Sequence, residues 1–408
     1  MYNGNIIIGQ SGGPTAVINA SLAGVYSAAK QAGAAKVYGM RYGIEGLLKG
    51  SVLDLDEVLK TPEDVTLLRR TPSSFLGSCR YRLPNVETGK KTYELLFEQF
   101  EKLHITACFY IGGNDSMDTI HKLHLYGESI GSPIRFIGVP KSIDNDLPGT
   151  DHTPGFGSAA KYIATLTKEI ICDATVYDMK SVTVIEVMGR DAGWLTGATA
   201  LCRGADCDGP DFIYLPELSF DLETFLAKLE AKMKTKKSLV VAVSEGIRTA
   251  RGGYVCEMGG EEKRHDVFGH TMLCGTAQFL AEVIGRRLSC KTRGIELNTP
   301  QRCAAHLLSA CDEAEAFAAG EAAFHAAEKG LTGEMAAFHR TGDAPYSCEI
   351  VTVPVGTVAN AEQCVPRSYI NEAGDNVTEA FFAYARPLII GEVMPIIRDG
   401  LPAVLKRR

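Results

Sequence analysis

Two short apolar runs, each ending abruptly in a polar turn, constrain this chain more than any other feature. Thr106 to Ile111 is rich in β-branched and aromatic residues and gives way to Gly112-Gly113-Asn114-Asp115-Ser116. Ile134 to Val139 does the same and gives way to Pro140-Lys141-Ser142-Ile143-Asp144-Asn145-Asp146. Such runs read as buried parallel strands with loops at their carboxyl ends. In open α/β sheets that is where ligands bind. Gly112 and Gly113 carry no Cβ and let the backbone approach a ligand closely. Asn114-Asp115-Ser116 is expected to cap a helix whose N–H groups make an anion site. In extended backbone Asp144 and Asp146 point the same way, beside Lys141. A lysine and two carboxylates around a glycine-lined, phosphate-sized hole suit metal-assisted phosphoryl transfer.

The same pattern recurs along the chain. Asn5 to Gly9 reads as a strand, Gln10-Ser-Gly-Gly-Pro14 as a sharp turn, and the small residues to Lys30 as a helix. That turn forms a phosphate nest, yet it is neither a dinucleotide fingerprint nor a Walker A loop. Lys36 to Met40 is a further strand, and Lys91 to Leu103 an amphipathic helix. A second series of strands, loops and helices begins at Val182. Val182 to Val187 ends in Met188-Gly189-Arg190, and Asp191 to Thr196 opens the next helix, with Trp194 expected in the core. Ser238 to Val243 ends in Ser244-Glu245-Gly246. His270 to Leu288 and Ala304 to Gly330 read as helical, Glu349 to Val355 as a strand, and Arg386 to Gly391 as a loop entering a short strand.

Composition narrows the class. The chain has 408 residues, 22% charged, with a net charge of −7 and no long Lys/Arg run. This argues against nucleic-acid or membrane surfaces as partners. No apolar run approaches the roughly 18 residues of a membrane span, and no signal peptide is read at the start, so the expected compartment is cytoplasmic. The twelve cysteines show no Cys-x2-Cys pairing and read as small buried hydrophobes. His121 and His124 read as an exposed polar helix face rather than a metal site. The length suggests an N-terminal lobe over 1–150, a second lobe over 151–300 and C-terminal helices and strands over 301–408 packing back on both.

The loops at 112–116 and 140–146 resemble the two signature loops of the phosphofructokinases, in the version of the pyrophosphate-dependent branch. ATP-dependent relatives usually have Asp-Gly where this chain has Asn114-Asp115, and glycine in place of Lys141. The resemblance spans roughly residues 4 to 335. It implies an α/β fold of two Rossmann-like lobes with parallel central sheets and the active site between them. It also implies glycolytic phosphoryl transfer from pyrophosphate to the 1-hydroxyl of fructose 6-phosphate. In that frame Asp144 takes the hydroxyl proton, Lys141 stabilises the leaving phosphate, and Asp115 excludes ATP. Gly13, Gly113 and Arg80, the last from a Phe-Leu-Gly-Ser-x-Arg stretch, hold the donor. Ser142, Asp144, Met188, Gly189, Arg190, Glu245, Arg293, Thr299 and Arg302 hold the sugar phosphate, and Asn114 sits at the Mg²⁺ position.

The resemblance has departures. Asn114 is neutral where relatives often carry an aspartate, Thr299 stands where histidine or tyrosine is usual, and Lys180 or Ser181 replaces a further arginine. Family precedent implies a homodimer or homotetramer, with Arg293 completing a neighbour's site. An ATP-dependent phosphofructokinase and a non-catalytic regulatory paralogue are the alternatives. A nicotinamide-binding oxidoreductase is disfavoured by the first turn.

Overall fold

The computed structural model describes residues 2, 4–259, 273 and 275–406. The chain divides into two compact units. One comprises Met1–Ser158, Arg302–Glu362 and Ile390–Arg408, and the other Ala159–Gln301 and Gln363–Ile389.

The first unit is built on a seven-stranded sheet. In spatial order its strands are Tyr346–Pro354, Glu334–Asp343, Arg135–Pro140, Ile105–Gly112, Asn5–Gln10, Lys36–Met40 and Val52–Asp54. The five central strands are parallel, and both edge strands pair antiparallel. The strands at Asn5–Gln10, Ile105–Gly112 and Arg135–Pro140 are buried almost throughout, which explains their continuous apolar sequence. From Asn5–Gln10 the chain moves to Lys36–Met40 on one side, then returns to Ile105–Gly112 on the other. This reversal creates a topological switch point at the carboxyl ends of Asn5–Gln10 and Ile105–Gly112.

Helices cover both faces. Ile18–Ala32 packs on Ala310–Glu328 so closely that a Cβ at Gly24 would overlap the Phe317 carbonyl, and one at Gly320 the Ser21 carbonyl. Only glycine permits that approach.

The second unit holds a four-stranded, all-parallel sheet in the order Phe212–Tyr214, Ser238–Ser244, Ser181–Val187, Lys291–Glu296. Trp194 is 1% exposed and sits among Tyr369, Phe381 and Tyr384, as a core residue should. Its indole N–H donates to the Gln363 carbonyl at 2.9 Å.

Several elements depart from the sequence reading. Glu334–Asp343, not anticipated, joins the first sheet beside Arg135–Pro140 through a register of only two residues. The helix expected from Ala304 begins at Ala310, after two 3-10 turns, where Ser309 Oγ accepts the Asp312 N–H. In place of a strand after Arg386 there is a 3-10 turn, Arg386–Ile389, and a single bridge between Ser309 and Glu392. The helix read from His270 is seen as Thr276–Leu288, and 270–272 and 274 lie outside the described residues. Among the described residues no helix is long and apolar enough to cross a membrane.

The loop after Asp146 is fastened by a buried histidine. His152 is 3% exposed, stacks on Phe338, and places its two ring nitrogens 2.9 Å from Asp151 and 2.9 Å from Glu315. Arg340 also pairs with Asp151, and the Tyr346 hydroxyl donates to Glu315. Burial alone would lower the His152 pKa, but the two carboxylates outweigh it and raise it to about 9. A raised pKa means that this contribution to stability is complete below about pH 6.5 and is lost as pH rises through about 9. The shift corresponds to about 3 kcal/mol. Denaturant midpoints of the wild type should therefore fall between pH 7 and pH 10, and the slope should flatten in His152→Gln. Equal slopes in the two proteins would remove His152 from this role.

Candidate active site

In the first unit three loops leave adjacent strand ends and are tied together by backbone. Ser11 N–H donates to the Ile111 carbonyl at 3.0 Å, and Lys141 N–H to the Gly112 carbonyl at 3.0 Å. The register of the parallel strands thus brings Ser11-Gly12-Gly13, Gly112-Gly113 and Lys141 side by side.

Lys141 is the centre of this group. It is 4% exposed, and its ammonium donates to the Gly13 carbonyl at 2.6 Å. Burial lowers its pKa to about 8; Asp146 and Asp144 oppose the shift, while Arg302 and Arg80 reinforce it. A Cβ on Gly12, whose φ is +74°, would stand 3.3 Å from Lys141 Nζ, so the bare glycine keeps the ammonium's surroundings open. Ser142 Oγ donates to Asp146 at 2.6 Å and accepts the Asp144 N–H at 3.2 Å. Asn145 takes a left-handed φ of +56°, and its side-chain oxygen accepts the Thr153 N–H at 2.9 Å. The loop that presents half-buried Asp144 and Asp146 is therefore clamped at both shoulders.

The helix after Gly113 corrects one expectation. Asn114, Asp115 and Ser116 do not cap it; Gly113 is the cap, and the helix itself runs Asn114–Ser129. Asn114 thereby enters the first turn, and its side-chain oxygen is buried without a hydrogen-bond partner. Ser116 Oγ meets Ser11 Oγ, a link between the first and second loops. Asp115 is half exposed and pairs with Arg82 at 3.0 Å.

Arg302 lies in this first unit. A Cβ on Gly13 would stand 3.6 Å from its Nη1 atom, and its charge acts on Lys141. It therefore stands beside Gly13 and Lys141, at the strand ends of the first unit. Its Nε is buried without a hydrogen-bond partner.

The second unit carries its own strand-end cluster. Val187 and Ser244 are register partners, so the loops that follow them are neighbours. Ser244 Oγ donates to the Gly189 carbonyl at 2.6 Å, and Gly189 N–H points to Glu245 Oε1 at 3.4 Å. Gly189 adopts φ +123°, and a Cβ at Gly246 would overlap the Arg190 carbonyl. Met188 N–H donates to Gln301 Oε1 at 3.1 Å. These bonds hold Met188, Gly189, Arg190 and Glu245 together as one surface, with exposed Thr299 two residues before Gln301.

Arg293 does not join them within the chain. Its register partner is Thr183, and the ladder continues three residues further, to Glu186 and Glu296. That places Arg293 roughly 10 Å of strand short of the carboxyl end. It is exposed on an edge strand and pairs with Asp173 at 3.0 Å.

Sequence reasoning missed three participants. Arg82 stands two residues past Arg80 on the same loop. Gln301 orients Met188 from the residue preceding Arg302. The Ser11–Ser116 contact needed the strand pairing to be visible.

Among the described residues no cluster of three or more His, Cys, Asp or Glu side chains is set to hold a metal. The unpartnered Asn114 oxygen and the carboxylates of the loop tied to Gly112 are oxygen donors of the kind Mg²⁺ takes, an ion that keeps waters and substrate phosphates as most of its ligands.

Comparison with known proteins supplies the family. A family model described as phosphofructokinase matches residues 5–295. The pyrophosphate–fructose 6-phosphate 1-phosphotransferase of Halomonas elongata is 41% identical over 410 residues, covering 100% of this chain and 96% of that protein. The protein of the same name from Methylococcus capsulatus is also 41% identical, covering 98% of this chain and 94% of its own length. A crystal structure of a pyrophosphate-dependent phosphofructokinase from Nitrosospira multiformis superposes with a TM-score of 0.88 at 37% identity, covering 98% of this chain and 95% of that one. With a matched family model over most of its length and full-length relatives of that identity, this chain belongs to the phosphofructokinase family.

Proposed function

We propose that this protein is a pyrophosphate-dependent 6-phosphofructokinase, a glycolytic, cytoplasmic phosphotransferase. It forms fructose 1,6-bisphosphate and phosphate from fructose 6-phosphate and pyrophosphate, reversibly. The observation that carries the donor assignment is Lys141, a buried ammonium against Gly13 in a glycine cradle, with Asp115 in the helix turn that follows Gly113.

In this reading the donor lies against Gly13, Gly113 and Arg80, and the sugar phosphate against Ser142, Met188, Gly189, Arg190, Glu245, Thr299 and Arg302. Asp144 accepts the proton of the attacking 1-hydroxyl. Lys141 and the first-turn N–H groups stabilise charge on the leaving phosphate, dipoles already aligned before reaction. Mg²⁺, held through Asn114 and the Asp144 loop, would neutralise charge on the donor oxygens. Exposed Arg293, paired with Asp173 on an edge strand, suits a role in a neighbouring subunit of a homo-oligomer. Incubation with fructose 6-phosphate, Mg²⁺ and pyrophosphate tests the activity; no fructose 1,6-bisphosphate would refute it.

A pH profile isolates Lys141. Its pKa is lowered to about 8, so the ammonium is present below that pH and lost above it. kcat/KM for pyrophosphate should decline on the alkaline side with a midpoint near pH 8. Lys141→Arg, which stays charged, should lose that limb while retaining reduced activity. An identical limb in the arginine variant would assign the titration to another group.

A further inference from the structure

Arg82 lies on a loop anchored along its whole length. Ser78 Oγ donates to the Gly12 carbonyl at 2.6 Å, and Gly12 N–H donates to the Cys79 carbonyl at 3.2 Å. Leu83 is buried, and its carbonyl accepts Lys122 Nζ at 3.0 Å. The Tyr93 hydroxyl donates to the Pro84 carbonyl at 2.5 Å. Lys122 belongs to Asn114–Ser129, the helix whose first turn carries Asp115. The loop and the helix are thus fixed to each other on one side of the Arg82–Asp115 pair, and the loop is fixed to the Gly12 turn on the other. In this frame the Arg82 guanidinium meets the Asp115 carboxylate at 3.0 Å.

The pair is half exposed, with side-chain exposures of 57% and 46%. Such pairs add little to stability, so stability does not account for placing an arginine on a loop braced this firmly. Charge does. Asp115 sits in the first turn of the helix that follows Gly113, beside a cradle suited to a compact polyanion. A bare carboxylate there would repel the small donor as well as the large one. A carboxylate neutralised by a fixed guanidinium keeps its bulk, which blocks a nucleotide, and loses most of its repulsion toward pyrophosphate.

We propose that Arg82 is a specificity-determining, positioning residue that acts through Asp115, holding that carboxylate in place and cancelling its charge toward pyrophosphate. The proposal rests on the pyrophosphate-dependent reading and extends it to a residue outside the signature loops.

A double-mutant cycle in the full-length protein tests it. Arg82→Ala should raise the KM for pyrophosphate about tenfold, with kcat within about twofold and the melting temperature unchanged. Arg82→Lys should fall between the alanine variant and the wild type. Adding Asp115→Asn to Arg82→Ala should bring KM back to within about threefold of wild type, because the uncompensated charge is gone. Effects that multiply independently would mean that Arg82 contacts the donor itself and would overturn the proposal. A loss confined to kcat, or an unchanged KM in Arg82→Ala, would overturn it too. If wild-type protein made no product from pyrophosphate, the underlying reading would fall and the proposal with it. An active wild type with uncoupled variants removes the proposal alone.

Discussion

Asp144→Asn is expected to lower turnover by about 10²–10⁴-fold, the usual worth of a positioned general base, while leaving the fold intact. Several bonds that do not use the carboxylate hold the loop. Ser142 Oγ accepts the Asp144 backbone N–H, and the turn is held by Asn145 against Thr153 and by Ser142 against Asp146. An amide keeps the volume and loses the proton acceptor. Steady-state kinetics with a melting curve would check this. Near-normal turnover in a folded variant would take Asp144 out of the role and shift attention to Asp146 on the same loop.

The second large effect concerns the choice of donor. On the proposed reading, Asp115 and Lys141 favour pyrophosphate by different means. Two like charges about 4 Å apart repel by about 1 kcal/mol in water and about 4 kcal/mol at an intermediate dielectric. Because Asp115 is half exposed and paired with Arg82, the lower end applies, and its bulk matters more than its charge. Asp115→Gly should therefore admit ATP only weakly. Lys141 supplies attraction: its buried ammonium offsets the charge of a compact donor, and a glycine cannot. Adding Lys141→Gly should cut pyrophosphate use about 10²-fold or more, in line with loss of a fixed charge-stabilising donor, and shift the preference toward ATP. Unchanged pyrophosphate kinetics in Lys141→Gly would contradict the assignment.

The sequence revealed the loops better than the architecture around them. The 112–116 and 140–146 clusters stood out because each directly follows a run of residues that can only be buried strand. Ile105–Gly112 and Arg135–Pro140 match those runs within a residue or two. The order of the strands was not legible, since pairing depends on contacts distant along the chain. The switch point beside Asn5–Gln10, which gathers Gly13, Gly113 and Lys141, emerges only from that order. Glu334–Asp343 escaped notice because its apolar half, Met335-Ala-Ala-Phe338, is short and rich in alanine, and its other half is polar. The resemblance put Arg293 and Arg302 in one sugar-phosphate set, with Arg293 completing a neighbour's site. The structure puts the first midway along an exposed edge strand and the second beside Gly13, because a strand, a turn and a 3-10 helix intervene. The helix start was misplaced by one residue. Asn114 reads as a good cap, but Gly113 already adopts the extended cap conformation, which leaves the Asn114 oxygen buried and unpaired.

The most direct test is the ratio of kcat/KM for the two donors in wild-type protein, with fructose 6-phosphate and Mg²⁺ held constant. A buried Lys141 in the glycine cradle and a braced Asp115 beside it predict efficient formation of fructose 1,6-bisphosphate from pyrophosphate and little from ATP. Equal or better use of ATP would contradict that account of both residues and favour an ATP-dependent phosphofructokinase instead.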